Sequence, residues 1–227
     1  MNRTPSAVNP LPWIVWALAL PLIAMELVLT AGESGLIGGG NGIAWRGEAV
    51  QTFGFVPDLL RGAWARGQYL PDEPWRLFSY VLVHGSFTNT LFAVVILLAL
   101  GKMVGEIFRW WAVAVIWFGA SVLGVVVYTL VLPANSAWFF GAFPADYGLI
   151  GAFTFLLWMR LAGTGSNQYR AFTMIGLLMF VQLVFGLLFG GGYGWVAELA
   201  GFVTGFLLSF VVSPGGWRQV MLRLRRR

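Results

Sequence analysis

Six stretches of the chain are apolar over lengths close to what a bilayer core demands: 11–30, 77–100, 110–132, 147–161, 171–190 and 195–212. A spanning helix needs roughly 20 such residues, so the pattern predicts a polytopic all-α membrane protein with six transmembrane helices. The fourth stretch is short unless it begins at Pro144, where proline takes a first-turn position without losing a helix hydrogen bond. Trp and Tyr gather at the ends of the runs (Trp13, Trp75, Trp110, Trp111, Trp138, Tyr193, Trp195), as interfacial anchors do.

Between the first two runs lies the one sizeable polar segment, 32–75. Its Gly-rich part, 35–42 (GLIGGGNG), reads as flexible. Residues 53–69 carry apolar side chains at helical spacing and predict an amphipathic helix lying in the interface. The first run contains Glu26 and lacks an A-x-A site, so it reads as a retained anchor rather than a signal peptide. There is no internal repeat and no second domain. The expected layout is a tail at 1–10, one membrane domain at 11–213 and a basic tail at 214–227.

Composition agrees with this pattern: 59% of residues are hydrophobic and 10% charged, against about a quarter charged in soluble domains, and the mean hydropathy is +0.79. With no Cys and one His, disulfides, thiolate chemistry and multi-imidazole metal sites are excluded. No cofactor or metal is expected. The net charge of +5 is no nucleic-acid signal, because five Arg (218, 223, 225, 226, 227) crowd the C-terminal tail, where they suit anionic lipid. Arg3, Lys102, Arg109, Arg160, Arg170 and that tail fall on one side. Arg46, Arg61, Arg66 and Arg76, on the other, are offset by Glu33, Glu48, Asp58, Asp72 and Glu73. The excess of basic residues predicts that both termini are cytoplasmic. The strong preference for Arg over Lys hints at a bacterial genome, hence a bacterial inner membrane.

Three stretches carry recognisable chemistry. Residues 141–153 read GAFPADYGLIGAF, residues 197–205 read AELAGFVTG, and residues 75–92 read WRLFSYVLVHGSFTNTLF. Ala197, Gly201 and Gly205 place small residues on one helix face, and Gly148 and Gly151 do so on another. Such spacing lets backbones approach closely where lipid removes the hydrophobic drive. Together the stretches resemble the rhomboid family of intramembrane serine proteases. In that family the first reads roughly G-x-S-G-x-x-Y-G-L-x-G with a serine nucleophile, and the second A-H-x-x-G-x-x-x-G with a histidine base. The third is similar to its WRLxT…HxSxxHxxxN region, and Gly101 and Glu106 to its G-x-x-x-x-E. The resemblance covers 75–210.

On that resemblance the nucleophile position holds Phe143, the following glycine is Pro144, and the base position holds Glu198. A serine–histidine dyad needs a hydroxyl within reach of a near-neutral base. Phe143 supplies no nucleophile, and Pro144 lacks an N–H that could stabilise an oxyanion. His84 falls on the first family His, Asn89 on the second and Ala93 on the Asn; Tyr147 matches a tyrosine that stacks on the catalytic His. Among the serines of the chain, Ser79, Ser86, Ser121, Ser136 and Ser209 show no recognisable pairing with His84. If 77–100 is one helix, Ser86 and His84 point to different sides of it.

Acids inside a membrane are costly, so Asp146 and Glu198 call for a reason. They could form an acid pair resembling that of aspartic proteases. Alternatively, Asp146 sits in the first turn of the fourth helix, where the dipole favours an anion, and Glu198 is glued to His84, Asn89 or Tyr147. The second reading is preferred; Glu26 is likewise expected to snorkel or to hydrogen-bond across helices. The expectation is a rhomboid-like pseudoprotease that binds transmembrane segments of other membrane proteins in the bilayer without cutting them. The alternative is an active intramembrane endopeptidase of that family, using a non-standard site such as Asp146 and Glu198 or a serine supplied from elsewhere. A transporter would need a polar path that the composition does not offer.

Overall fold

A computed structural model describes residues 10–135, 137–189 and 192–213, with the side chains of 182, 183 and 185–189 excepted. Most of both tails, Ser136 and Gly190 lie outside the described residues. The described chain folds into helices α1 (Trp13–Glu33), α2 (Trp45–Phe53), α3 (Pro57–Ala65), α4 (Arg76–Ser79), α5 (Phe87–Gly105), α6 (Trp110–Val131), α7 (Phe143–Gly163), α8 (Thr173–Phe189) and α9 (Gly194–Val212). Among them α1, α5, α6 and α9 are each long and apolar enough to cross a membrane alone. The six-run pattern survives as α1, α5, α6, α7, α8 and α9, so the molecule is a polytopic helical bundle.

Two expectations change. The run 77–100 is not one helix: after α4 comes a 3-10 turn at Tyr80–Leu82, Val83 is extended, and α5 starts only at Phe87. Ser86 causes the break. It stands in extended conformation and its Oγ accepts the Asn89 N–H at 3.3 Å, the N-cap arrangement that starts a helix. His84 therefore precedes α5, and the helical argument separating it from Ser86 does not apply. Likewise 53–69 is not one amphipathic helix. The backbone turns extended at Gly54 and Val56, and Pro57 takes the first turn of α3, so α2 and α3 are separate. The glycine-rich stretch is also structured, with a 3-10 turn at Gly39–Ala44 in which Gly42 is buried.

α7 sits in the middle, packed on α5, α6 and α9. It starts at Phe143 with Pro144 in its first turn, which lengthens the short fourth run. The small residues explain the packing. A Cβ on Gly205 would overlap the Gly148 carbonyl, one on Gly201 the Pro144 carbonyl, and one on Gly151 the Phe202 carbonyl. Ala197 faces α6, where its carbonyl lies 2.9 Å from the place a Gly124 Cβ would take. On the far side, Val15 of α1 fills the hollow at Gly101 of α5.

Among the described side chains of α8, those at its start are packed into the bundle. Ile175 is buried with Tyr147, Ile150 and Phe202, and Met174 and Leu100 close that cluster. Further along, Leu177, Phe180 and Val181 are exposed. On α5, Asn89, Ile96 and Leu100 share one helical phase, and Leu100 packs against the cluster that holds Ile175 of α8.

The segment 32–75 is stapled down by arginines that spend their hydrogen bonds on helix C-terminal carbonyls. Arg61 donates to the Thr129 and Leu132 carbonyls at 2.8 and 2.7 Å, ending α6. Arg76 donates to Gln51 and Gly54 at 2.8 and 2.7 Å, ending α2. Such bonds satisfy orphan carbonyls that lipid or a buried loop cannot.

Candidate functional site

At the loop end of α7 and α9 lies a cleft of about 610 Å³. Phe143, Pro144, Asn89 and Glu198 all line it, so four of the positions singled out by the motifs converge on one cavity. Phe143 begins α7, Glu198 is one turn into α9, and Asn89 is in the first turn of α5. The close glycine contacts of α7 with α9 bring the first two together. Most of the remaining wall is apolar or aromatic, including Tyr128, Trp138, Phe140 and Tyr193.

His84 lies behind this cleft, only 2% exposed. Its Nε2 accepts the Ala142 N–H at 3.1 Å, and its ring meets Phe143 edge-on with centroids 6.3 Å apart. An Nε2 that accepts cannot also carry the proton, so the neutral ring is protonated on Nδ1, which has no partner. Burial pushes the imidazole down to about 4, only partly opposed by the nearby Glu26 carboxylate. This histidine is a neutral acceptor that positions the start of α7.

Glu198, 8% exposed, lies close enough to the Tyr147 hydroxyl to interact with it, one of the three partners expected for it. Tyr147 itself packs with Phe202 of α9. Asp146 is fully buried and faces another way. Trp117 of α6 donates to its Oδ1 at 3.4 Å, and its Oδ2 has no hydrogen-bond partner. Asp146 does not line the cleft, so the two acids do not share it. Asp146 keeps its place in the first turn of α7, where the helix dipole favours it.

Four of the serines singled out in the sequence are engaged elsewhere. The hydroxyls of Ser79, Ser121 and Ser209 donate to the carbonyls of Phe53, Phe118 and Gly205, and Ser86 caps α5. Ser136 lies outside the described residues. Ala93 is fully buried and offers no polar group. Among the described residues no cluster of three or more His, Cys, Asp or Glu could hold a metal.

The sequence reading missed one polar centre beside this site. Arg46 of α2 grips Glu26 through both terminal nitrogens, at 2.8 and 3.1 Å, and Glu33 at 2.6 and 3.0 Å. It also donates to the His84 carbonyl at 2.8 Å. Thr90 and Thr30 complete the shell of Glu26 at 2.5 and 2.8 Å. The two carboxylates raise the guanidinium pKa further. An acid inside an apolar run facing a loop with four Arg was the available signal. Glu26 therefore hydrogen-bonds across helices instead of snorkelling.

Comparison with known proteins assigns a family to this arrangement. Residues 71–215 match the sequence profile of the Rhomboid domain. RHOMBOID-like protein 4 of Arabidopsis thaliana is 30% identical over 144 residues, covering 62% of this chain and 34% of that protein. Inactive rhomboid protein 1 of Danio rerio is 24% identical over 151 residues, and that of Homo sapiens 23%. Each of these alignments covers 64% of this chain but 16% of the relative. The chain thus spans about a third or less of the curated relatives it matches.

Proposed function

This chain belongs to the rhomboid family, and on that premise we propose that it is a non-cleaving member, holding transmembrane segments of other membrane proteins and leaving them intact. One observation carries the reading. Phe143 and Glu198, at the positions the family resemblance gives to nucleophile and base, line the same cleft. Neither side chain is a hydroxyl nucleophile or an imidazole base. Pro144 beside Phe143 withholds an oxyanion donor as well. Relatives named inactive rhomboid proteins support the same reading.

On this reading a client helix reaches the cleft beside α5 and α8, along the phase of α5 that carries Ile96 and the cleft-lining Asn89. The alternative, an acid protease built on Asp146 and Glu198, would need both carboxyls on the substrate; Trp117 is the partner of Asp146, away from the cleft. The proposal sets the protein in a bacterial inner membrane with both termini cytoplasmic. The basic residues Lys102, Arg109, Arg160 and Arg170 on the inner loops support that orientation.

The test is capture of a defined client. A single-span reporter helix with a photocrosslinker at its centre is co-reconstituted with the full chain. Wild type should yield an intact crosslinked adduct, and Ile96→Trp, which makes that face of α5 bulky, should lose most of it. Equal yields from both would rule out the α5–α8 path.

A further inference from the structure

The cleft has an unusual lining for a membrane protein. Tyr128, Trp138, Phe140, Phe143 and Tyr193 present aromatic rings, and among the described lining residues the single formal charge is negative, Glu198. Ring faces carry negative quadrupole density and attract cations, most strongly once these are stripped of water. A carboxylate in apolar walls draws the same partner, because in low dielectric a charge-assisted hydrogen bond gains strength. The Tyr147 hydroxyl lies beside that carboxylate.

We propose that this cleft recognises a Lys or Arg side chain carried by a client transmembrane helix near its loop-side end. The proposal rests on the reading that the chain holds transmembrane segments. Depth follows from the helix. Glu198 lies four residues beyond Gly194, about 6 Å down the axis of α9 at 1.5 Å per residue. The matching cation therefore sits about one turn inside its own helix. In lipid alone a cation at that depth must stretch out to the interface to stay solvated, so a client carrying one gains by seating it in the cleft, against ring faces and a carboxylate. Uncharged helices gain only apolar contact there, which lipid supplies equally well.

The experiment uses three synthetic Leu/Ala helices of roughly 20 residues, with Lys one turn inside the loop-side end, Lys three turns inside, or Leu throughout. Affinity for the full chain is measured by fluorescence transfer in phosphatidylglycerol nanodiscs. Wild type should bind the one-turn Lys helix about tenfold more tightly than the Leu helix, and the deeper Lys helix no better than Leu. Glu198→Gln should bring the preference to within about twofold, while Glu198→Asp, which keeps the charge, retains part of it. Equal binding of all three helices by wild type overturns the proposal and leaves the client-holding reading standing. So does a preference that persists in Glu198→Gln. If wild type binds no helix, the client-holding reading fails and the proposal falls with it. If the preference vanishes in phosphatidylcholine nanodiscs, the aromatic site belongs to a choline headgroup and the proposal is overturned.

Discussion

Removing the Arg46 guanidinium tests whether the segment 32–75 is bolted to the bundle or merely rests on it. Arg46→Met keeps the apolar stem and deletes five hydrogen bonds. Their weights differ. The Glu33 carboxylate is 39% exposed, so that pair is worth under about 1 kcal/mol. The bond to the His84 carbonyl contributes about 1 kcal/mol. Glu26 dominates: its side chain is 5% exposed and that of Arg46 11%, and removing one partner of a buried pair costs about 3–5 kcal/mol. The surviving bonds from Thr30 and Thr90 keep the loss towards the lower end. Reversible unfolding in mixed detergent micelles should therefore show Arg46→Met destabilised by about 3–4 kcal/mol. Glu26→Gln should lose less, because an amide needs no counter-charge. In the double variant the two costs should not add, with coupling above about 1 kcal/mol. A loss below about 1 kcal/mol, or strict additivity, would refute the buried-pair account.

Gly205→Ala forces a methyl into the Gly148 carbonyl and should cost about 1–3 kcal/mol by overpacking, read as a fall in melting temperature; an unchanged value would mean that α7 and α9 are not in close contact. Arg61→Ala orphans two carbonyls at the end of α6 and should cost about 1–3 kcal/mol in the same assay. His84 gives a pH dependence. Its folded value of about 4 is below the ordinary 6.5, so between these pH values the unfolded chain binds the extra proton. Stability is full above about pH 6.5, falls as pH drops, and levels off below about 4, a loss of roughly 3 kcal/mol. In His84→Gln that part of the unfolding profile should be flat; an identical slope would assign it to another group.

The apolar runs located all six long helices because a membrane helix is bounded by length and by lack of charge, both visible in sequence. Their ends were less legible where polar side chains act on backbone. Ser86, lying inside an otherwise continuous run, starts α5 by capping Asn89, and nothing in hydropathy records that. Similarly, Gly54 and Pro57 split what periodicity reads as a single amphipathic helix. The meeting of Phe143, Asn89 and Glu198 at one cleft followed from motif spacing, since small residues fix how α7 and α9 stack. Arg46 escaped notice because its three partners, Glu26, Glu33 and the His84 carbonyl, are 20, 13 and 38 residues away. A one-dimensional pattern marks such residues as charges in a loop and leaves their pairing open. The orientation of Asp146 toward Trp117 was hidden for a related reason, as one helical step separates the side facing α6 from the side bearing Tyr147.

The most direct test of the central claim is cleavage of a single-span reporter with a helix-breaking loop-side end, in proteoliposomes with the full chain, from pH 4 to pH 8. The account predicts intact reporter at every pH, recovered in crosslinked adducts with wild type. A cleaved fragment that disappears in Glu198→Ala or Asp146→Ala would contradict it and establish a carboxylate protease.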